Sequence, residues 1–143
     1  MTSSAGRAAA DSVAPRAVVA GHGEFPSGVI SAVQQISGRG DVFRGLSNAG
    51  LDAAALLAAL GEAVSAHGAS VIFTDLPAGS CTIAARRLAR DRPGLAVVTG
   101  ANLSMLLDFA LKGGDGTVAA ARAAERGREA IGVAPAPEGG GAH

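Results

Sequence analysis

The chain alternates short, continuously apolar runs with longer segments in which apolar positions recur every three or four residues. Ala17-Val18-Val19-Ala20 is the first such run, the pattern of a strand covered on both faces, and it stops at Gly21-His22-Gly23. A histidine is thereby expected in the loop at that strand's carboxyl end. Val29, Ile30, Val33 and Ile36 then keep helical spacing, and Gly38 is placed to end that helix. Asp41 to Leu46 reads as a second, shorter strand. Leu56, Leu57, Leu60 and Val64 make the apolar stripe of a second helix that ends near His67-Gly68. Val71-Ile72-Phe73-Thr74 predicts a third strand ending at Asp75, and the turn Leu76-Pro77-Ala78-Gly79 leads into Ser80 and a helix through Arg90. Leu95 to Thr99 predicts the fourth strand, followed by Gly100-Ala101-Asn102 and a helix carrying Met105, Leu106, Phe109 and Leu111. A last helix, about Thr117 to Arg128, precedes a weak β-type run, Ala130 to Ala134.

Repeated strand–helix units call for right-handed crossovers, so the expected fold is α/β. It is a doubly wound, mainly parallel sheet of about five strands with helices on both faces. Ligands of such sheets gather at the carboxyl ends of the strands, where the strand order reverses. His22, Asp75, Ser80 and Asn102 all fall there. At 143 residues the chain suits one core, assigned to 16–134. Residues 1–15 and 135–143, rich in Ala, Ser, Gly or Pro without an apolar period, are expected to be disordered tails.

Composition narrows the function. Hydrophobic residues make up 48% of the chain but aromatics only 3%, so the core must rely on Val, Ile, Leu and Ala in closely spaced elements. Twelve basic residues balance twelve acidic ones, which argues against nucleic acid or an anionic membrane as main partner. The single cysteine, Cys81, cannot form an internal disulfide. With no signal-like segment and no stretch of the roughly 20 apolar residues that a membrane span needs, a cytoplasmic protein is expected. Three histidines and one cysteine lack the spacing of a structural zinc site. No Walker-type GxxxxGK[ST] occurs, and Pro26 stands where a dinucleotide fingerprint needs its third glycine. Neither a metal nor a cofactor is expected.

A histidine after a buried strand becomes a nucleophile when a carboxylate holds one ring N–H and leaves the other nitrogen's lone pair free. Asp75 is the candidate orienting group, and Ser80 with the first free N–H groups of its helix is the candidate for holding phosphate oxygens. Gly23, Gly79 and Asn102 are further candidates for the phosphate or partner site. Blander roles compete: His22 as a loop residue, Ser80 as a helix cap, Asp75 as a turn cap. His67 reads as a helix C-terminal residue and His143 as part of a tail. Arg86, Arg87 and Arg90 read as a solvated helix face, and Cys81 as a small buried residue. A Ser80–His22–Asp75 hydrolase triad has the residue types but lacks the G-x-S-x-G elbow.

Four segments together resemble the IIA domain of the mannose, fructose and sorbose family of bacterial sugar phosphotransferase systems. Val18-Val19-Ala20-Gly21-His22-Gly23 resembles its strand-then-histidine motif, and Asp75-Leu76-Pro77-Ala78-Gly79-Ser80 its Asp-x-x-Gly-Gly-Ser loop. The stretch from Gly100 to Asp108 is similar to Gly-x-Asn-[Leu/Ile]-Pro-Met-Leu-[Leu/Val]-Glu, and Gly127-Arg128-Glu129 to a short motif near the family's end. The resemblance implies a phosphotransferase component in which His22 accepts a phosphoryl group from HPr and passes it to a IIB component for sugar uptake. Asp75 would orient His22 and Ser80 would contact the phosphate. It also implies indirect association with membrane IIC and IID components, and a homodimer that exchanges an antiparallel last strand, here Ala130 to Ala134. A regulatory phosphohistidine module without transport, or a donor subunit for a dihydroxyacetone kinase, remain alternatives. Three positions depart from the pattern: Ala78 replaces a glycine, while Cys81 and Ser104 replace prolines.

Overall fold

In a computed structural model, which describes residues 15–136, strand β1 (Ala17–Gly21) is buried at every position. The continuous apolar run requires this, because the strand lies in the middle of a sheet with helices on both faces. It pairs in parallel with β2 (Phe43–Ser47) on one side and β3 (Val71–Thr74) on the other, and β3 pairs in parallel with β4 (Ala96–Val98). The spatial order is β2-β1-β3-β4. The chain thus winds outward from β1 to one edge, returns, and winds to the other, which puts the reversal of strand order between β1 and β3.

Alternate residues of the central strands face opposite cores. Ala17, Val19, Val71 and Phe73 pack with α1 (Phe25–Ser37), α4 (Leu103–Lys112) and α5 (Gly116–Glu129). Val18, Ala20 and Ile72 pack with α2 (Ala53–His67) and α3 (Ser80–Arg90). On the first face Phe43, Phe73 and Phe109 form a three-ring cluster with centroids 5.2 to 6.3 Å apart. Ala119, Ala120 and Ala123 let α5 settle closely against the same core. Gly38 and Gly68 end α1 and α2 in left-handed conformations (φ 71° and 67°), as their placement predicts. The buried carboxylate of Asp108 on α4 is held by Arg122 Nε of α5 at 2.9 Å and by Lys112 Nζ at 3.3 Å. A charge buried this deeply needs such partners.

Two expectations are corrected. The second strand does not start at Asp41: Gly40–Val42 is a 3-10 turn, because Gly40 N–H donates to Gln34 Oε1 at 2.9 Å and pairing with β1 starts only at Phe43. The expected fifth, antiparallel strand at Ala130 to Ala134 does not form. Among the described residues the sheet has four strands, all parallel. Ala130 caps α5, and residues 131–136 have no ladder partner among the described residues. Ile131 and Val133 are consequently 74% and 71% exposed. Residues 1–14 and 137–143, most of the two expected tails, and with them His143, lie outside the described residues. No helix among the described residues is long and apolar enough to cross a membrane.

Candidate functional site

β1 ends at Gly21 and delivers His22 to the carboxyl end of the sheet; β3, beside it, ends at Thr74 and delivers Asp75. The two side chains meet. Asp75 Oδ2 lies 2.8 Å from His22 Nδ1 and also accepts the His22 backbone N–H at 2.9 Å. One carboxylate oxygen therefore fixes both the ring and the loop that carries it. The aspartate side chain is 12% exposed and the imidazole 50%, so the carboxylate is sheltered while the ring is half open.

This approach depends on Gly21. A Cβ there would stand 3.0 Å from Asp75 Oδ2 and 3.0 Å from the Phe25 ring. The loop then turns through Gly23 in a left-handed conformation (φ 54°), and Phe25 N–H donates to the His22 carbonyl at 3.0 Å.

The loop after Asp75 is tied down from beneath. Thr82 on α3 donates to the Leu76 carbonyl at 2.6 Å, and its hydroxyl lies 2.7 Å from that of Thr74. Both threonines are buried. Gly79, at φ 123°, then admits the chain into α3. The Ile83 N–H to Gly79 carbonyl bond of 2.9 Å opens the helix, so the N–H groups of Ser80, Cys81 and Thr82 lack intrahelical acceptors. This end lies against the imidazole: a Cβ on Gly79 would be 3.8 Å from His22 Cε1. Ser80 is exposed and accepts a hydrogen bond from Asn48 Nδ2 at 3.0 Å.

His22, Asp75, Gly23, Gly79 and Ser80 thus come together. Asn102 stands apart from them in its bonding. Its Oδ1 caps α4 by accepting Met105 N–H at 3.0 Å, and its Nδ2 donates to the Gly127 carbonyl at 3.0 Å. Gly127 packs so tightly on Met105 and Asn102 that a Cβ there would meet Met105 Cε at 2.7 Å. Both segments therefore tie α4 to α5. His67 bonds the Val42 carbonyl at 2.9 Å through Nε2, a structural role. Among the described residues no cluster of three His, Cys, Asp or Glu side chains forms a metal-ligand set.

Burial is the largest influence on Asp75 and pushes its pKa up, but the hydrogen bonds from the His22 ring and backbone, with the attraction of the imidazole, outweigh it. The carboxyl sits below its ordinary value. It is ionised at neutral pH and can only accept, so the proton between it and His22 resides on Nδ1. In the neutral ring this tautomer leaves the Nε2 lone pair free, the state an imidazole needs to act as a nucleophile. The Cys81 thiol, buried on the α2 side and close to the Asp75 charge, is pushed up and stays neutral.

Residues 16–124 match the sequence pattern of the family described as the PTS system fructose IIA component. The chain belongs to that family. Membership makes it a IIA-type component of a sugar phosphotransferase system. Solved structures of the same fold include the mannose/sorbose-specific IIA subunit from Enterococcus faecalis, 22% identical with a TM-score of 0.78, over 88% of this chain and 98% of that one. The phosphotransferase component EIIA from Streptococcus agalactiae is 22% identical with a TM-score of 0.73, over 82% and 95%. The IIA protein associated with the fucose utilization operon of Streptococcus pneumoniae is 20% identical with a TM-score of 0.72, over 84% and 93%. No match was found among curated proteins.

Sequence reasoning missed Asn48, Gly21 and the Thr74–Thr82 tie. Asn48 follows β2 just as His22 follows β1, and that parallel was the available signal. The steric need for Gly21, set by a residue far along the chain, had none.

Proposed function

We propose that His22 is a cytoplasmic phosphoryl carrier that is charged by HPr and discharged to a IIB component, which serves sugar uptake through membrane IIC and IID partners. The observation that carries this reading is the Asp75–His22 pair, which holds Nδ1 and leaves Nε2 open. In the transfer, the Nε2 lone pair forms a bond to phosphorus while the bond from phosphorus to the donor breaks, its electron pair staying with the donor. The ring, still protonated at Nδ1, becomes cationic, and the Asp75 carboxylate offsets that charge. The Ser80 hydroxyl and the free N–H groups at the start of α3 hold the phosphoryl oxygens. Protein partners suit the surroundings: Leu76 and Ile83, 49% and 66% exposed, flank the site and offer apolar contact.

The same reading includes a homodimer in which Ala130 to Ala134 of one copy covers the β4 edge of the other. The exposed Ile131 and Val133 and the edge of β4, which has no partner among the described residues, favour it. Light scattering should give twice the 13.9 kDa chain mass, reduced to one chain by Ile131→Asp with Val133→Asp.

The direct test is incubation with phosphoenolpyruvate, enzyme I and HPr, followed by intact mass and acid treatment. One acid-labile phosphoryl group, absent in His22→Ala, is the expected result. No adduct with active carriers would sink the reading.

A further inference from the structure

Three neighbouring strands each end by delivering a polar side chain to one end of the sheet: His22 after β1, Asp75 after β3, and Asn48 after β2. Asn48 is held firmly. Its N–H donates to the Gly21 carbonyl at 3.0 Å, and its own carbonyl accepts Leu51 N–H at 3.1 Å. Its side chain spans from the β2 edge to α3, where Nδ2 donates to Ser80 Oγ at 3.0 Å.

A serine hydroxyl has one proton and two lone pairs. With one lone pair taken by the Asn48 amide, the proton of Ser80 remains for a different acceptor. A phosphoryl group held at the start of α3 offers only acceptors. We infer that Asn48 is a positioning residue: its amide holds the Ser80 hydroxyl so that the proton points at the phosphoryl oxygens on His22. This inference rests on the reading of His22 as the carrier and extends it to a residue on a third strand.

The side-chain chemistry gives a sharp test. Asn48→Ala frees the hydroxyl to rotate. Asn48→Asp keeps the shape but turns the partner into an acceptor, which draws the Ser80 proton away and adds a negative charge near the phosphoryl group. The rate of phosphoryl transfer from phosphorylated HPr would be measured for wild type and both variants, and for Asn48→Ala combined with Ser80→Ala. Asn48→Ala should slow transfer about two- to tenfold, the worth of one neutral hydrogen bond. Asn48→Asp should slow it more. In the Ser80→Ala background, Asn48→Ala should have almost no effect, because a positioning residue has nothing left to position. A purely structural role would act equally in both backgrounds and lower the melting temperature in step. Equal slowing with and without Ser80, or wild-type transfer by Asn48→Asp, overturns the inference. The two readings separate cleanly. Wild type that takes up no acid-labile phosphoryl removes both, whereas normal phosphorylation of wild type and Asn48→Ala alike removes only the role of Asn48.

Discussion

Asp75→Asn keeps the shape of the side chain and removes its charge. In the wild type, one ionised oxygen lies 2.9 Å from the His22 backbone nitrogen and 2.8 Å from Nδ1. An asparagine whose oxygen takes that place still accepts both, but one whose amide N–H₂ takes it sets a donor against the backbone N–H and against Nδ1. It then favours the ring tautomer with the proton on Nε2, the atom that must attack. The neutral amide also fails to offset the charge of the phosphorylated ring. A hydrogen bond to a charged partner nets about 1.5–3 kcal/mol, which converts to transfer slower by about 10- to 150-fold. The half-open imidazole keeps this below the roughly 10⁴-fold loss typical of a buried triad carboxylate. The assay is rapid-quench transfer from phosphorylated HPr, counted as acid-labile phosphate. Folding would be checked by far-UV circular dichroism, because the chain has no Trp or Tyr for fluorescence. Transfer by a folded Asp75→Asn within threefold of wild type at pH 7 would refute the orienting role.

Gly21→Ala should impair the same pair sterically, since the new methyl sits 3.0 Å from Asp75 Oδ2; slower transfer with only modest loss of melting temperature is expected, and unchanged transfer would show that the carboxylate can give way. Because the Asp75 carboxyl is held below its ordinary 3.8, its contribution to stability is fully present above that pH and lost as the pH falls through the lower, folded value. The gap in melting temperature between wild type and Asp75→Asn should therefore close on acidification below 3.8, and a gap that widened there would contradict the sign. Thr82→Val, nearly isosteric, deprives the Leu76 carbonyl of its 2.6 Å donor and should cost about 1–3 kcal/mol, with faster amide exchange in the 75–79 loop. Phe109→Ala, in the three-ring cluster, should cost about 3–5 kcal/mol by denaturant unfolding while leaving His22 chemistry intact in the folded fraction.

Much of the fold and the centre of the candidate site was legible because the inner strands are continuous apolar runs that stop abruptly. β1 and β3 are buried on both faces, so the polar residue after each strand stands out, and those residues are His22 and Asp75. β2 is an edge strand, Phe43-Arg44-Gly45-Leu46-Ser47, with its middle exposed. Its pattern is too weak to mark where it starts or ends, and Asn48 was hidden with it. Gly21 and Thr82 are legible only from their partners, Asp75 and Leu76, which come near them through folding rather than through sequence. The weak run after α5 has β-type residues, but a strand exists only where a ladder partner is available. Among the described residues none supplies one.

The departures from the family pattern fall where the backbone's demands are met by other residues. In the loop after Asp75 the positive φ belongs to Gly79, at 123°, so Ala78 stands one residue before that constraint and is exposed. Cys81, in place of a proline near the start of α3, fills the α2-side core at 1% exposure, and Thr82 fixes the helix start through the Leu76 carbonyl instead of through a restricted φ. Ser104 falls in the first turn of α4, whose start is already held by the Asn102 side chain on Met105 N–H. Each lost restriction is replaced by a hydrogen bond or a buried side chain, and none of the replacements touches the Asp75–His22 contact. The substitutions therefore bear on how firmly α3 and α4 are anchored and on the surface shown beside His22. The two atoms on which the proposed chemistry depends, Asp75 Oδ2 and His22 Nδ1, keep a geometry set by Gly21 and the Thr74–Thr82 tie.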